Sequence, residues 1–453
     1  MRDMTPTDRK MRLCAFWFPP GSHPGGWRMP DAIPGSESSF AAFVEVAQMA
    51  ERGRMDAIFF ADSVAVQPVD LIAEGDPAAG KVYRGAAGLE PMSLLPALAA
   101  VTTRIGLIAT GTTTYNAPYH IARRFATLDQ ISGGRGGWNL VTSQTESEAQ
   151  NFGFDRHMEH DDRYDRANEF FDVVAGLWDS WADAAMVHDK ATAQCFDPAK
   201  VRILNHDGRH FKVRGPLNVL RSPQGRPIVV QAGASGPGKA LAARIADCVF
   251  SAQATLAEAR QFADEIRATA ITFGRRPEHL RIMPGIIPVL GRTDAEAQEL
   301  LEELRANITD EQALRSLYRV AGGLDLRKYP LDGPLPDLPR SNGAQGRQRL
   351  LIGMARKDGL TLRQAARRFA EGQAHQLVCG SAATVADVMQ DWFEQGACDG
   401  FCVMPIYYPR GIRDIVDLLI TELRRRGLFR TEYEGRTLRD NLGLPRPASR
   451  FDA

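Results

Sequence analysis

Eight short runs rich in Val, Ile and Phe recur along the chain, each followed by a loop and then a stretch with helical spacing. They are Leu13 to Phe18, Ala57 to Ala61, Ile105 to Thr110, Gly137 to Thr142, Pro227 to Gln231, Asp247 to Ser251, Arg281 to Val289 and Gly400 to Met404. The intervening helical patterns are Ser39 to Arg52, Pro91 to Val101, Ile121 to Asp129, Arg163 to Trp178, Pro237 to Ala246, Leu256 to Phe273 and Ala383 to Gln395. Near-continuous apolar strands alternating with amphipathic helices predict a parallel sheet buried on both faces. Eight such units predict an α/β fold of the closed TIM (β/α)8 barrel type, in preference to a doubly wound open sheet.

Two segments break the repeat and read as insertions into a single domain spanning 1–453. The first, at about 195–223, carries NHDGRHFKVRGPLNV, whose Asp207-Gly208 pair suggests a hairpin turn. The second, at about 311–380, contains YPLDGPLPDLPRSNGAQG followed by a basic helix, and its length suggests a lid or a subunit contact. With 55 basic and 55 acidic side chains there is no overall field to draw the chain toward nucleic acid or a membrane surface. The six cysteines fit neither a zinc spacing nor a disulfide framework, and no apolar segment is long enough to span a bilayer, so a soluble cytoplasmic protein is expected.

A barrel of this kind places its chemistry at the C-terminal ends of the strands. After the fifth strand comes QAGASGPGK, in which Gly233, Gly238 and Lys239 satisfy G-x-x-x-x-G-K. Ala240 follows where a nucleotide triphosphatase needs Ser or Thr for magnesium, so a cofactor monophosphate fits better than ATP. The stretch NFGFDRHMEHDDRYDRANEF (Asn151 to Phe170) leaves three readings open: a metal cluster around His157 and His160, a solvated acidic helix entrance, or an anion site. The i, i+4 spacing of His160 and Tyr164 puts an imidazole and a phenol on one helix face, able to hold a phosphate with the Ser235 loop. A catalytic metal would call for a His-x-His pair at the first strand, where only His23 stands.

ISGGRGGWNLVTS (Ile131 to Ser143), EHDDRYDRANEF, VQAGASGPGKALAAR (Val230 to Arg244) and FRTEYEGRTLRDNLGL (Phe429 to Leu444) together resemble the bacterial luciferase-like flavin monooxygenases. The likeness is greatest to the branch containing nitrilotriacetate monooxygenase component A, EDTA monooxygenase and dibenzothiophene sulfone monooxygenase. This resemblance implies a two-component enzyme whose reduced FMN comes from a separate NAD(P)H:flavin oxidoreductase and reacts with O2 through a C4a-peroxyflavin. It also implies a homo-oligomer, dimer or tetramer. Carried over by position, the implied flavin contacts are Asp62 and Thr110 near the ring, with His160, Tyr164 and Ser235 at the phosphate; relatives often carry a second Ser where Ala234 stands.

His23 follows the first strand at the active-site face, and an ordinary imidazole there suits a proton donor or a peroxide-orienting group. The implied substrate is an aminopolycarboxylate-type amine undergoing oxidative N-dealkylation, with a sulfone or N-heterocycle as the alternative. Arg28, Lys81 and Arg84 are the cations expected near the mouth. Two readings from other classes stand beside this one: a metal-dependent barrel hydrolase, and a flavin- or phosphate-binding module without turnover.

Overall fold

The computed structural model describes residues 9–66, 69–81, 87–318, 320–339, 341–342, 345–449 and 451. Strands β1 (Arg12–Trp17), β2 (Ala57–Phe60), β3 (Gly106–Thr112), β4 (Gly136–Val141), β5 (Ile228–Gln231), β6 (Cys248–Ser251), β7 (Arg281–Gly291) and β9 (Gly400–Val403) run parallel in one sheet. Pairing of Cys248 with Arg281 and of Ser251 with Pro284 joins β6 to β7 and closes the ring. The expected eight-stranded barrel is therefore present, with helices outside it.

Period-two alternation divides each strand between two cores. Phe16, Phe59, Ile108, Val230, Phe250, Met283 and Cys402 fill the barrel interior. Their neighbours Leu13, Trp17, Phe60, Leu107, Trp138, Val229 and Phe401 face outward onto the helix layer. That layer includes α1 (Phe40–Arg52), α2 (Pro91–Val101), α3 (Pro118–Ser132), α4 (His160–Trp178), α5 (Gly236–Ile245), α6 (Leu256–Thr272) and α7 (Asp294–Ala306). Ser39 caps α1 and Thr255 caps α6, each side-chain oxygen accepting an orphan N–H of the first turn.

A ninth strand, β8 (Gln376–Ser381), was not anticipated. It pairs with the distal half of β7, Ile286 to Gly291, outside the closed ring. Within the 311–380 segment, α8 (Asp310–Leu317), α9 (Gln345–Lys357) and α10 (Leu362–Gly372) share a small core of their own around Leu314, Leu351, Leu362 and Phe369. In the earlier segment His206–Asp207 pairs with Lys212–Val213 across a four-residue loop, so Asp207-Gly208 is not itself a two-residue turn. A second hairpin, Met186–Asp189 with Gln194–Phe196, precedes it. After β8, α11 (Ala382–Glu394) leads into β9.

The C-terminal motif FRTEYEGRTLRDNLGL closes the end of the barrel opposite the active-site face. Leu438 packs against Gly106 at the start of β3, where a Cβ would lie 2.5 Å from its Cδ1. Arg439 makes two 2.8 Å contacts with Asp247, the residue before β6. Arg430 reaches Asp56, ahead of β2, at 2.8 Å with both side chains almost wholly buried. Among the described residues no helix is long and apolar enough to cross a membrane.

Candidate active site

Ser235 ends the loop after β5 and caps α5, its Oγ accepting from the Gly238 N–H at 3.2 Å. Facing it is the first residue of α4: His160 Nε2 lies 3.1 Å from Ser235 Oγ, while Nδ1 meets Asp161 at 2.8 Å. Tyr164 stands one turn further on, its ring centroid 4.9 Å from that of His160. A Cβ on Gly238 would approach the Tyr164 hydroxyl oxygen and the Gly233 Cα to 2.9 Å each, so the cradle floor admits only glycine. Two hydroxyls and an imidazole thus converge on the positive end of a helix dipole, a donor set suited to a phosphate monoester. Lys239, the last residue of the G-x-x-x-x-G-K pattern, points elsewhere, pairing with Glu265 at 2.7 Å.

The two histidines of the Asn151 to Phe170 stretch part company. His157 Nδ1 faces the Tyr115 hydroxyl at 2.5 Å, and burial with help from Arg163 lowers its pKa to about 4. Among the described residues no three His, Cys, Asp or Glu side chains converge as a metal set.

Across the barrel mouth, Thr110 is buried on the inner face of β3. Its hydroxyl donates to the Phe60 carbonyl at 2.8 Å and accepts from Asn139 Nδ2 at 2.9 Å. That leaves Asn139 Oδ1 buried with no hydrogen-bond partner, an acceptor a ring N–H would satisfy. Asp62, just beyond β2, has its pKa raised to about 6 by burial, with Glu90 and Glu148 adding to the rise and the Ser63 backbone opposing it. Asn139 Oδ1 and the Asp62 carboxylate are acceptors of the kind a flavin ring N–H needs, and the cradle offers donors of the kind a phosphate needs, so the residues present fit FMN.

His23 is only 2% exposed. The Gly25 N–H donates to its Nδ1 at 3.2 Å, which places the ring proton on Nε2, a buried atom without a partner. Burial, and secondarily Arg305, pushes its pKa down to about 3. The expected ordinary imidazole is therefore corrected: at neutral pH His23 is an uncharged hydrogen-bond donor, not an imidazolium acid. Arg28 is tied to the Asn307 carbonyl at 2.9 Å. Arg84 and the side chain of Lys81 lie outside the described residues.

Sequence reasoning missed the aromatic floor. Phe16 stacks on Phe250 at 5.3 Å, and Phe59 meets both rings edge-on at 5.1 and 5.7 Å. It also missed Asn139 as a site residue. The signal was available in the alternation, since Asn139 falls on the inward-facing parity of β4 beside Thr110 of β3.

Residues 22–399 match the luciferase-like monooxygenase family. The chain belongs to that family. It is 44% identical over 450 residues to N-acetyl-S-(2-succino)cysteine monooxygenase of Bacillus subtilis strain 168, covering 99% of this chain and 100% of that protein. It is 43% identical to nitrilotriacetate monooxygenase component A of Aminobacter aminovorans, covering 97% and 98% of the two chains. Among solved structures it is similar to EDTA monooxygenase from Chelativorans sp. BNC1, with a TM-score of 0.81, 33% identity, and 97% and 99% of the chains covered. This luciferase-like protein is a flavin-dependent monooxygenase of the nitrilotriacetate, EDTA and dibenzothiophene sulfone branch.

Proposed function

We propose that the enzyme takes reduced FMN from a separate NAD(P)H:flavin oxidoreductase and uses O2 to oxygenate a carboxylate-bearing amine at the carbon next to nitrogen. The observation that carries the flavin half of this reading is the contact of His160 with Ser235 at the N-terminus of α5. The substrate half rests on relatives at 43–44% identity, whose names specify nitrilotriacetate and a succinylated cysteine, both polycarboxylates.

Reduced FMN, when bound, supplies the two electrons that activate dioxygen; one oxygen atom enters the substrate and the other leaves as water. The chain's residues have separate tasks. Ser235, His160 and Tyr164 hold the phosphate end, while Asn139 Oδ1 and Asp62 accept from the ring. Phe16, Phe59 and Phe250 keep water from the reacting face. His23 offers its Nε2 proton as a neutral donor in a dry environment, where a hydrogen bond is stronger than in water. Once the carbon next to nitrogen carries a hydroxyl, its C–N bond breaks, the electron pair leaves with the amine and the hydroxyl proton is released. The products are the shorter amine and glyoxylate.

The 311–380 segment would act as a lid over this mouth. Arg315 and Arg327 both contact Asp76 at 2.7 Å in the loop after β2, and Arg163 donates to the Asn342 carbonyl at 2.7 Å.

The test is turnover with NADH, FMN, a flavin reductase and ¹⁸O2, followed by mass spectrometry over aminopolycarboxylates, sulfones and N-heterocycles. Glyoxylate with a shortened amine, formed only while O2 is consumed, is the expected result. Oxygenation confined to sulfones or heterocycles would overturn the substrate class.

A further inference from the structure

We infer that Arg163 of α4 and Arg349 of α9 are the counter-charges of the FMN phosphate, so that the bound cofactor fastens the 311–380 segment over the cradle. The inference rests on the phosphate reading of the His160, Tyr164 and Ser235 site and deepens it.

The cradle's own donors are two hydroxyls, an imidazole and a helix end, none of them a fixed cation. Lys239, the basic residue of its loop, is paired with Glu265 at 2.7 Å. A phosphate monoester carries about −1.5 to −2 charges at neutral pH. Neutral donors alone leave that charge uncompensated once the site is closed to water.

Arg163 is the converse case, a buried cation without an anion. It is 1% exposed, three positions after His160 and next to Tyr164 in α4. One guanidinium nitrogen donates to the Met158 carbonyl and another to the Asn342 carbonyl at 2.7 Å, while Nε is buried with no hydrogen-bond partner. Among the described residues no carboxylate forms an ion pair with it. Burial lowers its pKa, and the strongest groups opposing that are the phenols of Tyr164 and Tyr115, ahead of the Glu159 and Glu148 carboxylates. Burying a guanidinium is costly unless an anion meets it. A phosphate held by its neighbours His160 and Tyr164 is that anion.

Arg349 approaches from the other side. Its Nη2 donates at 3.3 Å to the carbonyl of Ala234, the residue before Ser235. The backbone beneath this contact is itself packed on the loop: a Cβ on Gly346, one turn earlier in α9, would lie 2.9 Å from the Ala234 Cβ. Ala234 brings no side-chain donor of its own. Arg349 is exposed and, among the described residues, pairs with no carboxylate, so its charge is available to an anion seated at Ser235. The two contacts cross: Arg163 belongs to the barrel and holds Asn342 of the 311–380 segment, whereas Arg349 belongs to that segment and holds the barrel's phosphate loop. A dianion between them attracts both guanidinium groups, and charge-assisted contacts of this kind are about twice as strong as neutral ones.

The experiment measures the anaerobic affinities of reduced FMN and reduced riboflavin, together with amide hydrogen exchange in α9 with each flavin bound. It compares wild type with Arg349→Gln, Arg349→Lys and Arg163→Gln. Wild type is expected to show slower exchange in α9 with FMN than with riboflavin. Arg349→Gln and Arg163→Gln are expected to bind reduced FMN about tenfold more weakly, to bind riboflavin as before and to lose the FMN-dependent protection, while Arg349→Lys retains much of both. Arg349 is on the surface, so its variants decide the matter if Arg163→Gln misfolds. An FMN affinity unchanged in Arg349→Gln or in folded Arg163→Gln, a riboflavin affinity that falls equally, or α9 exchange that is the same with both flavins would overturn the assignment alone. Equal affinity of wild type for the two flavins would overturn the phosphate reading and the assignment together.

Discussion

His160 and Ser235 stand 75 residues apart in the chain, on different βα units, and their side chains meet at 3.1 Å across the N-terminus of α5. Neither residue alone makes an anion site. Together with Tyr164 they surround a helix end whose first N–H groups have no partner within the helix.

The cradle's tolerance for side chains follows from its dimensions. Gly238→Ala places a Cβ 2.9 Å from the Tyr164 hydroxyl oxygen and the Gly233 Cα. It should lower FMNH2 affinity by roughly tenfold or more and also lower Tm, because the Gly233 backbone must shift to admit the Cβ. Fluorescence titration with reduced FMN and a thermal melt check the two halves separately.

Asp62 links pH to stability. Its pKa in the folded protein is raised to about 6 by burial, above its value in the unfolded chain. The folded state therefore binds the proton more tightly, and stability falls as pH rises from about 4 through 6. Asp62→Asn removes this linkage. The substitution should raise Tm relative to wild type at pH 8 and leave it nearly unchanged at pH 4, in scanning calorimetry at the two pH values.

The Arg439–Asp247 pair anchors the C-terminal closure. Burial works to raise the Asp247 pKa, but the Arg439 guanidinium, at 2.8 Å on both carboxylate oxygens, holds it below the ordinary value. Arg439→Ala leaves that carboxylate without its counter-charge and should cost about 3–5 kcal/mol. Urea unfolding monitored by circular dichroism measures it.

His23 makes the complementary prediction. Because its pKa lies near 3, no titration of this residue falls between pH 5 and 8. His23→Gln, which keeps a neutral donor, should retain far more activity than His23→Ala, and neither should shift the pH–rate profile in that range.

The sequence made the barrel legible because strands buried on both faces must be apolar, and their recurrence eight times leaves few alternatives. β8 escaped notice because Gln376, Leu377, Cys379 and Ser381 are all partly exposed, so the run lacks the buried signature of a ring strand. The meeting of His160 with Ser235 was suggested by local rules, a glycine-rich helix cap and an i, i+4 pair, while the choice of a phosphate over a metal cluster or a solvated helix entrance came from the family resemblance. The stack of His375 on Phe250 was not legible, since an isolated histidine inside an insertion carries no pattern; only the fold brings the two rings together. The role of His23 depended on burial, which its position in a loop sequence does not reveal.

The phosphate assignment is the centre of this account, and a single comparison tests it most directly. Reduced FMN and reduced riboflavin differ only in the phosphate. Their affinities should be measured for wild type, His160→Ala and Ser235→Ala. Wild type should prefer FMN by about a hundredfold or more, and each variant should lose much of that preference while binding riboflavin as before. Equal affinity of wild type for the two flavins, or a preference untouched in both variants, would contradict it.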